Sequence, residues 1–253
     1  MIPLLTLGLL TDTHYGPAPY GDRDCPGALD RLRVALEAFA SAGISLVVNL
    51  GDAIDNAPTV GEELTLCAEV REACAAFPGQ VRHVIGNHDV QMLSKEEFLA
   101  AMGCPPEPYY SFDAGGVHCA VLDGNCHQDG ADFRRGDFCW DVAWISEEQL
   151  RWLADDLARA AGRPTLVFCH ECLDDAADDP HVVRNAAAVR RLLQDAGVRA
   201  VFQGHYHPGR RRTVDGIPYV TLLAIAITGT MDECATVATL YADGSLRMAA
   251  IGG

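Results

Sequence analysis

The 253-residue sequence is poor in what nucleic-acid binding, membrane insertion or secretion would require. Basic residues are scarce: 19 Lys and Arg stand against 35 Asp and Glu, a formal net charge of −16. The densest basic run, Arg210-Arg211-Arg212, is too short to neutralise a phosphate backbone, so no general nucleic-acid binding is expected. The same acidity opposes docking on an anionic membrane surface. It leaves a small anionic substrate open, because cations gathered in one cleft invert the local field. Long apolar runs are missing too: the uncharged stretch Ile217 to Met231 falls short of the ~20 residues a membrane helix needs. The opening Met1-Ile2-Pro3-Leu4-Leu5 has no basic n-region and no cleavage site. It reads as a first strand, and the expectation is a soluble, cytoplasmic protein.

No internal repeat, low-complexity tract or linker interrupts the chain, which is therefore expected to form one domain over residues 1–253. At 49% hydrophobic residues it has ample material for a core, which excludes disorder. Ten cysteines read as reduced thiols rather than a disulfide framework. Cys67, Cys74 and Cys119 fall in apolar patterns as small fillers. Cys169-His170-Glu171-Cys172 has redox or zinc spacing, but no second C-x-x-C completes a four-cysteine site.

Short apolar runs alternate with helical periodicity, the pattern of an α/β fold. Strands are predicted at Leu4–Leu10, Ile44–Leu50, Val81–Ile85, Val117–Leu122, Thr165–Cys169 and Val198–Phe202. Leu29, Leu32, Leu36 and Phe39 mark a helix closed by Gly43, and Pro58 suits the first turn of the next. Ser94-x-x-Glu97 and Ser146-x-x-Gln149 read as capping boxes, and a further helix is predicted from Val183 to Ala196. Gly115-Gly116, Asp215-Gly216 and Asp243-Gly244 signal hairpins, so the sheets should be mixed.

Asp, His and Asn recur at the carboxyl ends of these strands. Asp12-Thr13-His14 follows the first, Gly51-Asp52 the second and Gly86-Asn87-His88-Asp89 the third; His170 and Gly204-His205-Tyr206-His207 follow two later ones. Ligands of α/β sheets bind outside those ends, so the five clusters should converge. Carboxylate and imidazole together suit borderline divalent ions, and an Asp able to bridge would hold two of them at roughly 3.5–4 Å. Any one such residue taken alone is better explained as a cap, turn former or satisfied polar group. His83 and His118 lie inside strand patterns and read as structural. Asp55 extends Gly51-Asp52 to G-D-x-x-D but suits a helix cap equally, and His181 lies in a polar loop without a strong claim.

The ordered blocks D-x-H, GD, GNHD, H and G-H-x-H resemble the signature of the calcineurin-like metallophosphoesterases, across Asp12 to His207. The resemblance implies two packed mixed β-sheets flanked by helices. It implies two divalent ions (Mn, Fe or Zn): Asp12, His14 and His207 on the first, Asn87, His170 and His205 on the second, and Asp52 between them. It casts His88 as the residue that contacts the phosphate and protonates the leaving oxygen, with Asp89 orienting its imidazole. A metal-bound hydroxide would attack phosphorus in line. Within the superfamily the chain is most similar to small bacterial phosphodiesterases, with manganese-dependent ADP-ribose/CDP-alcohol diphosphatases as neighbours. The expected substrate is a small phosphodiester or nucleotide pyrophosphate. A phosphomonoesterase is the alternative, and a non-catalytic scaffold the remoter one; a homo-oligomer is left open.

Specificity is expected to come from the long connection Asp123 to Ile145, which carries Phe133, Arg134, Arg135, Phe138, Trp140 and Trp144. Arg134 or Arg135 would hold a second anionic group and Trp140 would cover a base or sugar. Pinning of the loop by its tryptophans explains the same residues as well. Arg184 and Asn185 are weaker candidates.

Overall fold

The computed structural model describes residues 1–137, 139–176, 179–227 and 234–251; Phe138 lies outside them. Eleven strands form two mixed sheets among the described residues. In the first, β1 (Pro3–Leu10), β2 (Leu46–Asn49) and β3 (Gln80–His83) run parallel. The antiparallel pair β10 (Thr236–Tyr241) and β11 (Leu246–Ala250) extends it beyond β1. The second sheet has the order β4 (Tyr110–Ala114), β5 (Val117–Val121), β6 (Thr165–Phe168), β7 (Ala200–Gln203), β9 (Ile217–Thr221), β8 (Arg210–Val214). There β5, β6, β7 and β9 are parallel, and the outer strands β4 and β8 close hairpins. The predicted hairpins at Gly115-Gly116, Asp215-Gly216 and Asp243-Gly244 are all present.

Period-two alternation divides the core. Leu5, Leu7 and Leu9 of β1 meet Leu166, Phe168 and Phe202 in an apolar layer between the sheets. The outer face of the first sheet buries Val47 against helices α1 (Ala28–Ser41), α2 (Val60–Ala75) and α3 (Lys95–Met102). The outer face of the second buries Val167 and Val201 against α4 (Glu147–Arg159) and α5 (Ala186–Ala196). The result is the expected four-layer arrangement of two mixed sheets between helices. Gly8 explains one close approach: a Cβ there would enter the Phe39 ring of α1.

Helix ends largely follow their signals. Ser94 and Glu97 form a complete capping box on α3, and Gly43 takes a left-handed turn after α1. Ser146 caps α4, but the Gln149 side chain turns away to bond the backbone of Asp123, leaving half a box. Helix α2 begins at Val60, after Pro58; Thr59 caps it, its side chain accepting from Glu62 N, and Pro58 stays outside the helix. Helix α5 starts at Ala186, later than predicted, since 179–183 pairs with Cys172 and spends its backbone there. All ten cysteines are free thiols, and most of them are buried.

Candidate metal centre

Parallel strands end at one edge of each sheet, and the loops that leave those ends meet over the seam between the sheets. Backbone bonds knit them: Asp12 N donates to Gly51 O, His14 N to Asp52 O and Gly204 N to His170 O. The turns are tight enough to demand unusual backbone. Among the described residues five non-glycines have left-handed φ, and four are Asp12 (51°), His14 (47°), Asp52 (51°) and His205 (68°). Such conformations cost on the order of 1 kcal/mol or more each and persist only where surrounding structure over-determines them. Asp215, the fifth, sits in the β8–β9 turn. Glycines supply the remaining room. A Cβ on Gly86 would fall on Asp52, and one on Gly51 would strike the His170 ring.

Donor atoms of two groups gather within 4.8 Å: Asp12, His14 and His207, then Asp52, His170 and His205. Asp52 faces both, its Oδ2 lying 3.4 Å from His14 Nε2 and 3.2 Å from His170 Nε2. Asn87 Oδ1 is 3.0 Å from His170 Nε2, so Asn87 joins the second group. In the first, His14 Nε2 and His207 Nε2 stand 3.0 Å apart and lie 3.6 and 3.5 Å from Asp12 Oδ1. A third set, His14, Asp55 and His88, shares His14 through its other ring nitrogen.

These side chains are aimed by their other contacts. His170 Nδ1 donates to Leu50 O at 2.8 Å, which fixes the ring and aims Nε2 at Asp52. His14 Nδ1 faces Asp55 Oδ2 at 3.3 Å. The Thr11 hydroxyl donates to Asp12, as does the His205 amide. Among the described residues the buried His205 Nε2 has no hydrogen-bond partner, an orphan that a cation would satisfy.

Buried charge sets the proton affinities. Burial alone would raise the Asp12 carboxyl, but the imidazoles of His14, His170 and His207 hold it well below the usual range. Burial likewise works against His14, yet the carboxylates of Asp52, Asp12 and Asp55 lift it to about 9. His205 and His88 are pulled down to about 3 and about 4, chiefly by burial. Some imidazoles thus compete for protons while others shed them, a frustrated set that divalent ions fit better than protons do.

Asp89 does a different job from the one expected of it. One oxygen accepts from Ala53 N and Ile54 N, the other from Gly86 N, so the carboxylate staples the second turn to the third. The carboxylate beside the His88 ring is Asp55, at 3.6 Å. Asp55 also faces His14 and Arg23, which decides between its two readings against the helix cap.

A cleft of about 350 Å³ opens onto Asp52, Asn87, His88, His205 and His207. Trp140 reaches it, 5.2 Å from the His181 ring and 6.2 Å from that of His205. Arg134 and Arg135 do not line it. Arg135 donates to Met92 O and pairs with Glu97 of α3, and Arg134 closes an exposed turn with Asp137. Arg184 bonds Asp141 O, and Asn185 bonds the backbone of Ile145. Tyr20, Arg23 and Tyr206 line the cleft without having been singled out, and so does His181, whose polar loop gave it no strong claim in the sequence. Their loops lack periodicity; only the aromatic in G-H-Y-H and the G-D-x-x-D spacing that finds Arg23's partner offered a signal.

Residues 5–209 match the calcineurin-like phosphoesterases, and the chain belongs to that family of metal-dependent phosphoester hydrolases. A cAMP/cGMP dual specificity phosphodiesterase of Mycobacterium tuberculosis is 29% identical over 231 residues, covering 87% of this chain and 67% of that one. The human serine/threonine-protein phosphatase CPPED1 is 29% identical over 158 residues, 56% of this chain and 46% of its own. In fold, a dimetal phosphatase from Danio rerio superposes with a TM-score of 0.82 at 22% identity, covering 99% of this chain and 100% of that chain.

Proposed function

We propose that the protein hydrolyses a small phosphodiester or nucleotide pyrophosphate at a two-metal centre. Asp12, His14 and His207 would hold one ion, Asn87, His170 and His205 the other, and Asp52 would bridge them. The observation that carries this reading is the position of one Asp52 oxygen between two imidazoles of separate donor groups. Bound there, a pair of Mn, Fe or Zn ions would supply Lewis acidity and a water nucleophile at neutral pH. The chain's own residues supply orientation. His88 lines the cleft and is placed to contact the phosphoryl group; a proton-donor role toward the leaving oxygen is what the family resemblance implies, and burial alone favours the neutral ring, so such a role would require the bound phosphate to hold the proton on it. Its backbone amide donates to Asp52 Oδ1 at 2.8 Å, which couples the position of the ring to the bridging carboxylate. Trp140 and His181 offer ring faces to a base or sugar at the mouth. The sequence likeness to a cyclic-nucleotide phosphodiesterase favours a diester.

The test is a chelated protein reloaded with Mn²⁺ and assayed on bis-(p-nitrophenyl) phosphate beside the monoester. Turnover of the diester should return with metal, and Asp52→Asn should lower kcat by about a thousandfold or more, as removal of a group central to the centre does. Full turnover in rigorously chelated protein, or in Asp52→Asn, would sink the two-metal reading. Faster turnover of the monoester would replace the diester.

A further inference from the structure

We propose that Arg23, held by Asp55, is a phosphate-binding residue of the cleft. This rests on the two-metal reading above and adds to it the residue that grips the substrate's anionic oxygens.

Three observations converge on Arg23. It is the one Lys or Arg among the described residues that line the cleft, in a chain with a formal net charge of −16. The oxygens of a phosphate diester therefore find one permanent side-chain cation there. Arg23 also stands at the right depth: its Nη1 lies 3.0 Å from His14 Nδ1 and 3.4 Å from His88 Nε2, alongside both a metal-centre histidine and the expected proton donor. Lastly, it is set in place before any substrate arrives. Nη1 pairs with Asp55 Oδ2 at 3.2 Å, the guanidinium lies over the Tyr20 ring at 4.7 Å, and its backbone bonds Tyr20 in both directions.

Those contacts engage Nη1 and a guanidinium face. Among the described residues no hydrogen bond occupies Nε or Nη2. A guanidinium fork with free donors matches two oxygens of a phosphoryl group, a bidentate geometry that an ammonium cannot copy. Only 6% of the residue is exposed, so the cation is partly stripped of water and its attraction to an anion is less screened than at the surface. The cost of burying it is offset by Asp55, which makes Asp55 a positioning residue. Asp55 lies on the loop after β2, three residues from Asp52. The cation is thereby referenced to the metal centre rather than to a mobile loop.

Calorimetric titration of inorganic phosphate into the Mn²⁺-loaded protein reads the proposal without turnover. Arg23→Met should weaken phosphate about tenfold to a hundredfold, the range for a lost charge-assisted pair, and raise KM for the diester more than it lowers kcat. Arg23→Lys should recover only part of the loss, since it restores charge but not the fork. Asp55→Asn should weaken phosphate in the same direction, and the double variant should be no worse than Arg23→Met alone. Mn²⁺ content and affinity, measured on each protein, should stay at the wild-type level in the Arg23 variants. Unchanged phosphate affinity in Arg23→Met overturns the proposal while leaving the two-metal reading intact. So does a loss that tracks lost Mn²⁺, which would make Arg23 a scaffold for His14. Failure of the wild-type protein to turn over any ester with metal present strikes the reading beneath it instead.

Discussion

His83 closes β3 inside the protein, where burial holds its imidazole near pKa 4 against the usual 6.5. Folding therefore rejects the protonated ring, and the sign of the linkage follows. Above pH 6.5 the ring is neutral in both states and costs nothing. As pH falls from 6.5 to 4 the unfolded chain takes up a proton that the folded one does not, and about 3 kcal/mol of stability is lost. His83→Gln should narrow that loss. Urea midpoints for both proteins at pH 7.5 and pH 4.5 check it; equal losses would show that the ring is protonated in place. His83 was read as structural from its strand pattern alone, and the Asp-His-Asn blocks were equally legible because each sits at a strand's end. Arg23 and Asp55 were harder to see. Their meaning depends on a loop after β1 folding back on a loop after β2, a contact that no local period encodes. Arg135 erred the other way: a cation in a long loop suggests a ligand, but Glu97 was free to claim it first.

That pairing belongs to an element, α3, and to its first turn. Ser94 caps the helix, Glu97 Oε2 accepts from Ser94 N, and the same oxygen receives Arg135 from the long 123–145 connection. Lys95, next in the helix, ties Asp123 and Asp132 of the same connection. The box thus fastens a loop as well as a helix end. Ser94→Ala should cost about 1 kcal/mol, as N-cap losses do. For a protein of this size the melting temperature should fall by about 2–4 °C. The kcat/KM for the diester should be unchanged, since the fastened residues lie outside the cleft. A matching fall in kcat/KM would mean that the loop's anchorage shapes the site. Elements of this kind were legible wherever a local signal existed, and so were the three glycine-containing hairpin turns. What could not be read was strand order. β10 and β11 join the first sheet beside β1, although they follow the strands of the second in sequence. Only long-range registry, such as Leu7 against Ala238, dictates that choice.

At the scale of the molecule, the centre lies across a seam. Asp12, Asp52 and Asn87 follow strands of the first sheet, whereas His170, His205 and His207 follow strands of the second. Between the sheets the contact is apolar and nondirectional, so at this edge the polar donors fix how the two layers meet. Ions held by both halves would bind the folded protein and not the unfolded chain. Stability should then rise with metal concentration as mass action requires, by about 2.7 kcal/mol per site at a hundred times the dissociation constant. For a chain of this length that is a rise in melting temperature of about 5–10 °C per site. The strained backbone at Asp12, His14, Asp52 and His205 points the same way, because its cost is carried with or without ions and bound ions would help to offset it. A thermal melt across a Mn²⁺ series, against an EDTA-treated control and Asp52→Asn, measures this. The wild type should climb with metal and the variant should climb much less. A melting temperature indifferent to Mn²⁺ would mean that the apolar layer alone holds the sheets in register. An equal climb in Asp52→Asn would place the stabilising ions elsewhere than on the carboxylate between the two donor groups.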